Sequence, residues 1–113
     1  MYTPSRYYLD CYIAGFKYWD GLDSIGGLIE GTDVELRGEP VNPYDPEAVA
    51  IYYGETKLGY VPRDENSDIS RILYFGHGDI FESKISAVFP NNSLERRFRI
   101  IIKIKNARGG EGK

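Results

Sequence analysis

A cluster of three prolines within residues 39–46 constrains this chain more than any other feature of its sequence. Each proline fixes its own φ at about −65° and lacks a backbone N–H, and it also disfavours the helical conformation for the residue before it. Residues 39–46 can therefore form neither a helix nor the interior of a sheet, and we predict a rigid, pre-shaped loop. The flanking segments 33–37 and 48–53 have the apolar patterns of β-strands, so this loop joins two strands.

Short apolar segments separated by turn residues indicate that the whole chain is mostly β. The predicted strands are 7–16, 33–37, 48–53, 58–62, 80–89 and 98–104. A single helix is predicted over 64–74, where apolar residues recur at helical spacing and Asp64 or Ser67 is available as the N-cap. About six strands, with one short helix between the fourth and the fifth, predict a small barrel or closed sheet.

The composition fits one domain and excludes several kinds of site. The chain has 113 residues, enough for a hydrophobic core, and contains one cysteine and one histidine. These counts exclude an internal disulfide framework, a cysteine-based zinc site and a histidine cluster, so no metal and no cofactor are expected. No apolar run approaches the roughly 18 residues that span a bilayer, and no signal peptide is visible. We therefore expect a cytoplasmic protein without membrane contact.

The charges are unevenly distributed along the chain. The net charge is −3, but residues 1–62 hold ten acids and four bases, whereas residues 63–113 hold seven acids and ten bases. This balance argues against a general basic coat for nucleic acid, yet it allows a local basic patch. The basic residues after position 83 are best interpreted as the solvated face of a strand. The alternative is that some of them attract a polyanion.

Known constellations of catalytic residues are missing from the sequence. The glycines lack the spacing of a phosphate-binding loop, and the acidic residues form no cluster of the Mg²⁺-nuclease type. His77 lies between two glycines in a predicted turn, which is typical of a surface residue. Cys11 lies among apolar neighbours in the first strand and is predicted to be a small core residue. A binding protein is therefore favoured over an enzyme.

Three segments together resemble the signature of the HIRAN domain. Residues 37–51 are RGEPVNPYDPEAVAI, residues 58–63 are LGYVPR, and residues 13–18 are IAGFKY, which looks like the first strand of that family. The resemblance covers about residues 7–105, so we expect an N-terminal arm over 1–6, a HIRAN-like barrel over 7–105 and a flexible tail over 106–113.

The resemblance implies an OB-like β-barrel that binds DNA and does not catalyse a reaction. HIRAN domains occur in fork-remodelling translocases and as free-standing bacterial proteins, and in the translocases they capture the 3′-hydroxyl end of single-stranded DNA. The implied function is thus recognition of single-stranded DNA ends in repair or replication-fork processing. A separately encoded helicase or nuclease is the implied partner, and the oligomeric state stays open.

The resemblance also implies roles for individual residues. The matching tyrosine of the family, Tyr44, stacks on the terminal base, and Asp45 accepts a hydrogen bond from the free 3′-hydroxyl. Lys17 and Arg63 are the implied phosphate contacts, although lysine at position 17 lacks the bidentate fork of an arginine. Tyr18 is a second stacking candidate. The structural alternatives are that Tyr44 packs the turn against the barrel, that Asp45 forms an Asx-turn, and that both cations are ordinary surface charges.

Three further residues are candidates for the same site. Tyr60 stands where other members of the family carry histidine, and it is expected to line the pocket or to stack. Trp19 either adds a stacking surface or caps the end of the barrel. Leu94 stands where some members place an aromatic residue, so one side of the pocket is expected to be less aromatic here.

Two other functions remain open because a fold alone does not determine a function. The first is a protein-interaction or adaptor domain on an OB-like scaffold, which the acidic N-terminal half mildly favours. The second is an accessory subunit of a nuclease or helicase.

Overall fold

The computed structural model describes residues 2–108, which contain six strands and one α-helix. The elements are β1 (Tyr7–Tyr12), β2 (Asp33–Gly38), β3 (Val49–Tyr53), β4 (Thr56–Tyr60), α1 (Ser67–Tyr74), β5 (Phe81–Val88) and β6 (Phe98–Ile104). Short 3₁₀ segments occupy Phe16–Tyr18, Asp20–Gly27, Arg63–Glu65, Gly78–Ile80 and Leu94–Arg96. The helix lies between the fourth and the fifth strand, as predicted.

The strands form one curved antiparallel sheet in the order β1-β6-β5-β2-β3-β4. The chain beyond β1 meets β4 at a single bridge, where the Ala14 N–H donates to the Tyr60 carbonyl (2.8 Å) and the Tyr60 N–H donates to the Ala14 carbonyl (2.9 Å). This bridge joins the two edges of the sheet into a half-barrel. The prediction of a mostly β, OB-like barrel with one short helix is confirmed.

The hydrophobic core lies inside this curved sheet. Strand β6 shows the alternation clearly, since Phe98, Ile100 and Ile102 are buried while the residues between them are partly exposed. Phe16 packs on Phe98 with ring centroids 4.9 Å apart. Helix α1 adds Ile69 to the same core.

Three predicted elements had bounds that were wrong by more than one residue, each for a local reason. The fourth strand, predicted over 58–62, is Thr56–Tyr60, because the hairpin turn takes only residues 54 and 55, where Gly54 has a positive φ of 60°. The first strand ends at Tyr12 because Gly15 takes a positive φ of 71° and the chain then turns into the 3₁₀ segment Phe16–Tyr18. The helix starts at Ser67 because Pro62 accepts a hydrogen bond from the Glu65 N–H (2.9 Å) and begins a separate 3₁₀ turn.

The predicted helix cap was also wrong. Asn66 occupies the N-cap position, and no side chain bonds to the first turn there, so neither Asp64 nor Ser67 caps the helix. The Ser67 hydroxyl donates instead to Glu47 Oε2 (2.9 Å), in the loop after β2. The helix start is therefore tied to that loop.

The predicted arm and tail are only partly described. Arg6 of the arm pairs with Glu82 of β5 at 3.0 Å. Residue 1 of the arm and residues 109–113 of the tail lie outside the described residues. Between residues 2 and 108, no helix is long and apolar enough to cross a membrane.

Cys11 is buried as predicted, with 4% of its surface exposed. Burial, followed by the nearby charge of Glu65, raises the pKa of its thiol to about 12. Because the thiolate is the reactive species, we expect a disulfide reagent at pH 8 to modify the folded protein at least about 100-fold more slowly than the urea-unfolded protein. A thiol-release assay measures both rates, and similar rates would contradict the burial of this side chain.

Candidate nucleic-acid interface

A pocket of about 280 Å³ opens beside the bridge that closes the barrel. Its lining comes from the chain beyond β1, the proline-rich loop, β4 and the turn that leads into α1. The lining residues are Ala14, Trp19, Asn42, Tyr44, Asp45, Ala48, Tyr60, Val61, Arg63 and Asn66. These segments are far apart in the sequence, so the pocket depends on the fold that brings them together.

The proline-rich loop is braced from inside by Asn42. Its side-chain oxygen accepts hydrogen bonds from the backbone N–H groups of Tyr44 (2.8 Å) and Asp45 (3.1 Å). The two ends of the loop are joined where the Glu39 N–H donates to the Ala48 carbonyl (2.9 Å). This Asx-type turn, together with the prolines, holds residues 44 and 45 in one orientation at the pocket.

Asp45 is held by both of its carboxylate oxygens. Oδ1 accepts the N–H of Glu47 (2.9 Å), which is the Asx-turn weighed above, and Oδ2 accepts the side-chain amide of Asn66 (2.9 Å). Asn66 is only 2% exposed, so this hydrogen bond is a buried anchor. Each carboxylate oxygen can accept more than one hydrogen bond, so Asp45 still has acceptor capacity toward the pocket.

Arg63 lies directly beside Asp45 and Tyr44. Its Nη2 donates to the Tyr44 carbonyl (2.8 Å), and its Nε lies 3.7 Å from Asp45 Oδ2. About 75% of the Arg63 side chain is exposed. The contact with the Tyr44 carbonyl therefore holds a planar set of donors at the pocket lining and leaves several of them available to a ligand.

Three aromatic rings face the pocket. Tyr44 projects from the loop with 85% of its surface exposed. Trp19 lines the same pocket and meets Tyr60 edge to face, with centroids 5.9 Å apart and planes at 71°. An exposed ring and a fixed aromatic pair in one lining form an arrangement that accepts a flat ligand such as a nucleobase.

A charged pair contacts the aromatic residues of the pocket. Lys57 Nζ is 2.6 Å from Glu39 Oε2 and 3.0 Å from the Tyr60 hydroxyl, which itself donates to Glu39 Oε1 at 2.8 Å. Burial alone would raise the pKa of Glu39, but hydrogen bonds from Lys57, Asn42 and Tyr60 outweigh burial and lower it. Burial likewise opposes the charge of Lys57, yet contact with Glu39 raises the pKa of the ammonium. Both groups are therefore charged at neutral pH.

The structure brings together five of the eight sequence-predicted site residues. Tyr44, Asp45, Tyr60, Arg63 and Trp19 all line the pocket.

The other three predicted residues are not among the lining residues. Lys17 pairs with Glu95 (2.9 Å) and lies 5.2 Å from the centroid of the Tyr18 ring. Tyr18 is exposed, and Leu94 is partly buried against the hydrophobic core. Within residues 2–108, the lining carries one cation and one anion, Arg63 and Asp45.

Three of the basic residues near the C-terminus have polar partners within the protein. Arg99 pairs with Asp10 (2.8 Å), Lys84 pairs with Asp33, and Arg97 donates to the Asn92 carbonyl (2.7 Å). This arrangement fits the interpretation of these residues as the outer face of a sheet.

Sequence reasoning missed four residues that build the site, namely Glu39, Asn42, Lys57 and Asn66. The side-chain capping habit of asparagine could have identified Asn42 within the proline-rich loop. Nothing in the sequence separates Lys57 from an ordinary hairpin lysine, or Asn66 from a turn residue. No group of three or more potential metal-ligating side chains occurs among the described residues.

Comparisons with known proteins agree on the architecture. The HIRAN domain model matches residues 7–105 of the chain. A crystal structure of a protein from Lactobacillus plantarum superposes with a TM-score of 0.72 and 18% identity, covering 91% of this chain and 98% of that one. The HIRAN domain of human HLTF superposes with a TM-score of 0.62 and 17% identity, covering 87% of this chain and 76% of that one. No curated protein sequence matches significantly.

Proposed function

The chain belongs to the HIRAN domain family, a family of DNA-binding rather than catalytic domains, and from this premise we propose that its pocket binds the 3′-hydroxyl end of single-stranded DNA. The observation that carries the proposal is the convergence of one exposed ring, one carboxylate and one guanidinium in a single pocket. These groups belong to Tyr44, Asp45 and Arg63.

In the proposed complex, the terminal base stacks on Tyr44. The ring is already exposed and its backbone is held by Asn42, so little conformational freedom is lost on binding. Stacking recognises any base, which suits a protein that binds ends without reading sequence. Trp19 and Tyr60, which also line the pocket, contact the sugar or the next base.

Asp45 distinguishes the end of a strand from its interior. A carboxylate repels phosphate but accepts a hydrogen bond from a hydroxyl group, so it favours a terminal sugar that carries a free 3′-hydroxyl. Arg63, whose Nε lies 3.7 Å from Asp45 Oδ2, contacts the last internucleotide phosphate. A 3′-phosphate would place its negative charge against Asp45 and is excluded.

The residues outside the pocket keep their proposed roles along the rest of the strand. Lys17 leaves its ion pair with Glu95 and contacts a second phosphate. Tyr18 stacks on a further base, and Leu94 lies at the edge of the bound strand. The biological setting that we propose is DNA repair or replication-fork processing in the cytoplasm, together with a separately encoded helicase or nuclease. The arm over 1–6, barrel over 7–105 and tail over 106–113 belong to the same proposal.

The decisive experiment compares two oligonucleotides that differ only at the 3′ end. We expect the 3′-hydroxyl form to bind at least about tenfold more tightly than the 3′-phosphate form in fluorescence anisotropy, because only the phosphate adds charge beside Asp45. Equal affinities would contradict end recognition.

The matched variant for this experiment is Asp45→Asn. The amide keeps the size of the side chain and an oxygen for the Glu47 N–H, but it removes the negative charge. We expect discrimination between the two ends to fall to less than about threefold, and the thermal midpoint to fall by roughly 4–15 °C, because the buried Asn66 amide loses its carboxylate acceptor. Unchanged discrimination would remove Asp45 from the proposed mechanism.

A protein-interaction domain is the second candidate function. It is favoured by Tyr74 and Phe75, two exposed neighbouring rings that meet edge to face with centroids 5.0 Å apart at the end of α1. Exposed aromatic residues of this kind are common at protein interfaces. Absence of binding to either oligonucleotide would favour this candidate.

A further inference from the structure

The charged pair Lys57–Glu39 is not part of the pocket lining, but it contacts three lining residues, Trp19, Tyr60 and Asn42. The side chains are only 14% and 22% exposed, although both residues belong to types that are seldom buried. The two charges neutralise each other, because Lys57 Nζ lies 2.6 Å from Glu39 Oε2. A buried ion pair of this kind is costly to desolvate, and apolar side chains of similar size often stabilise a fold equally well. Stability alone therefore does not account for this pair.

Lys57 contacts the aromatic side of the pocket directly. Its ammonium lies 4.0 Å from the centroid of the Trp19 ring and 5.0 Å from that of the Tyr60 ring, and it donates to the Tyr60 hydroxyl. We call Trp19 and Tyr60 the aromatic wall. A cation held at this distance stabilises one orientation of an aromatic ring, and a largely desolvated cation–π contact is worth roughly ten- to thirtyfold in an equilibrium.

Glu39 connects the same ammonium to the proline-rich loop. Its Oε1 accepts a hydrogen bond from the side-chain amide of Asn42 (3.0 Å). The oxygen of that amide accepts hydrogen bonds from the backbone N–H groups of Tyr44 and Asp45. We call Tyr44 and Asp45 the loop wall. A continuous series of polar contacts therefore runs from Trp19 through Lys57, Glu39 and Asn42 to the loop wall.

We propose that Lys57 and Glu39 are positioning residues that hold the aromatic wall at a fixed distance from the loop wall and so set the width of the pocket. The part of this inference that concerns ligand affinity rests on the proposed function. The part that concerns the two walls does not, because it is a property of the free protein.

The single tryptophan of the chain makes the position of the aromatic wall measurable. The first variant is Lys57→Met, which keeps an unbranched side chain of similar length and removes the charge. We expect acrylamide to quench Trp19 fluorescence at least about twice as efficiently in this variant, because a ring that is no longer held by the cation becomes more accessible to the quencher. Affinity for the 3′-hydroxyl oligonucleotide is expected to fall about tenfold.

Two further variants separate positioning from folding. Lys57→Arg keeps a cation that can stack on Trp19 and pair with Glu39, and it should return quenching and affinity to within about threefold of the parent protein. The double variant Lys57→Met with Glu39→Gln removes the carboxylate that the first change leaves unpaired. It should regain thermal stability but keep the high quenching. Lys84→Met, which breaks the surface pair with Asp33, is the matched control and should change neither quenching nor affinity.

The outcomes test the positioning role of Lys57 and Glu39 separately from the proposed binding of DNA ends. Unchanged quenching and affinity in Lys57→Met would overturn the proposal. Loss of folding in both Lys57→Met and the double variant would also overturn it, because the pair would then support the whole barrel. If the parent protein bound no oligonucleotide, the proposed function would fail, while the quenching experiment would still test the position of the aromatic wall.

Discussion

Replacement of Tyr44 with alanine is expected to weaken binding of a 3′-hydroxyl oligonucleotide by roughly 5- to 150-fold, which corresponds to the 1–3 kcal/mol of one lost base stack. The ring is 85% exposed in the free protein, so its removal costs the fold little. The contact with Arg63 uses the backbone carbonyl of Tyr44 and survives the change. Anisotropy titrations and thermal unfolding of the same preparation measure the two effects.

Two control variants make this result specific. Tyr44→Phe keeps the stacking surface and should bind within about threefold of the parent protein. Tyr74→Ala removes another exposed tyrosine, at the end of α1 and outside the pocket lining, and should leave affinity unchanged. Comparable losses in Tyr44→Ala and Tyr74→Ala would indicate nonspecific contact with exposed rings. An undiminished affinity in Tyr44→Ala would remove the loop from the proposed interface.

The predictable part of the fold is the part encoded by local pattern. The alternation along β6 gave its exact limits, Phe98–Ile104, because strand periodicity and a buried face coincide there. The first strand was predicted four residues too long because the apolar run continues to Phe16, and periodicity does not register the turn at Gly15. Local pattern also misses the bridge between Ala14 and Tyr60, which depends on the curvature of the whole sheet.

The site likewise has a part that local sequence reveals and a part that depends on the folded sheet. The proline-rich loop was predicted from its own contiguous residues, and Tyr44 and Asp45 were singled out within it by the resemblance to the HIRAN family. Lys57 escaped notice because its direction depends on a shift in the β3–β4 register between Ile51 and Tyr52. An irregularity of this kind changes which face a strand residue occupies, and sequence periodicity alone does not place it.

The close approach of β4 to the chain beyond β1 requires a glycine at position 59. Its φ is +153°, and a Cβ added there would lie 2.4 Å from the Ala14 carbonyl oxygen and 2.8 Å from Ile13 Cγ2. The first of these neighbours is backbone and belongs to the bridge that closes the barrel. Only a residue without a side chain allows the two chains to approach this closely.

We therefore expect Gly59→Ala to reduce the free energy of unfolding by roughly 2–6 kcal/mol, from backbone strain together with overpacking. The thermal midpoint should fall by roughly 8–25 °C. Oligonucleotide affinity should fall with it, because Ala14 and Tyr60 line the pocket.

Gly26→Ala is the matched control, since a Cβ there meets nothing within 4 Å and no positive φ is involved. Its stability should stay within about 1 kcal/mol of the parent protein. Equal stability of the two variants in urea unfolding would show that the close approach at Gly59 is absent in solution, and with it the closure on which the pocket depends.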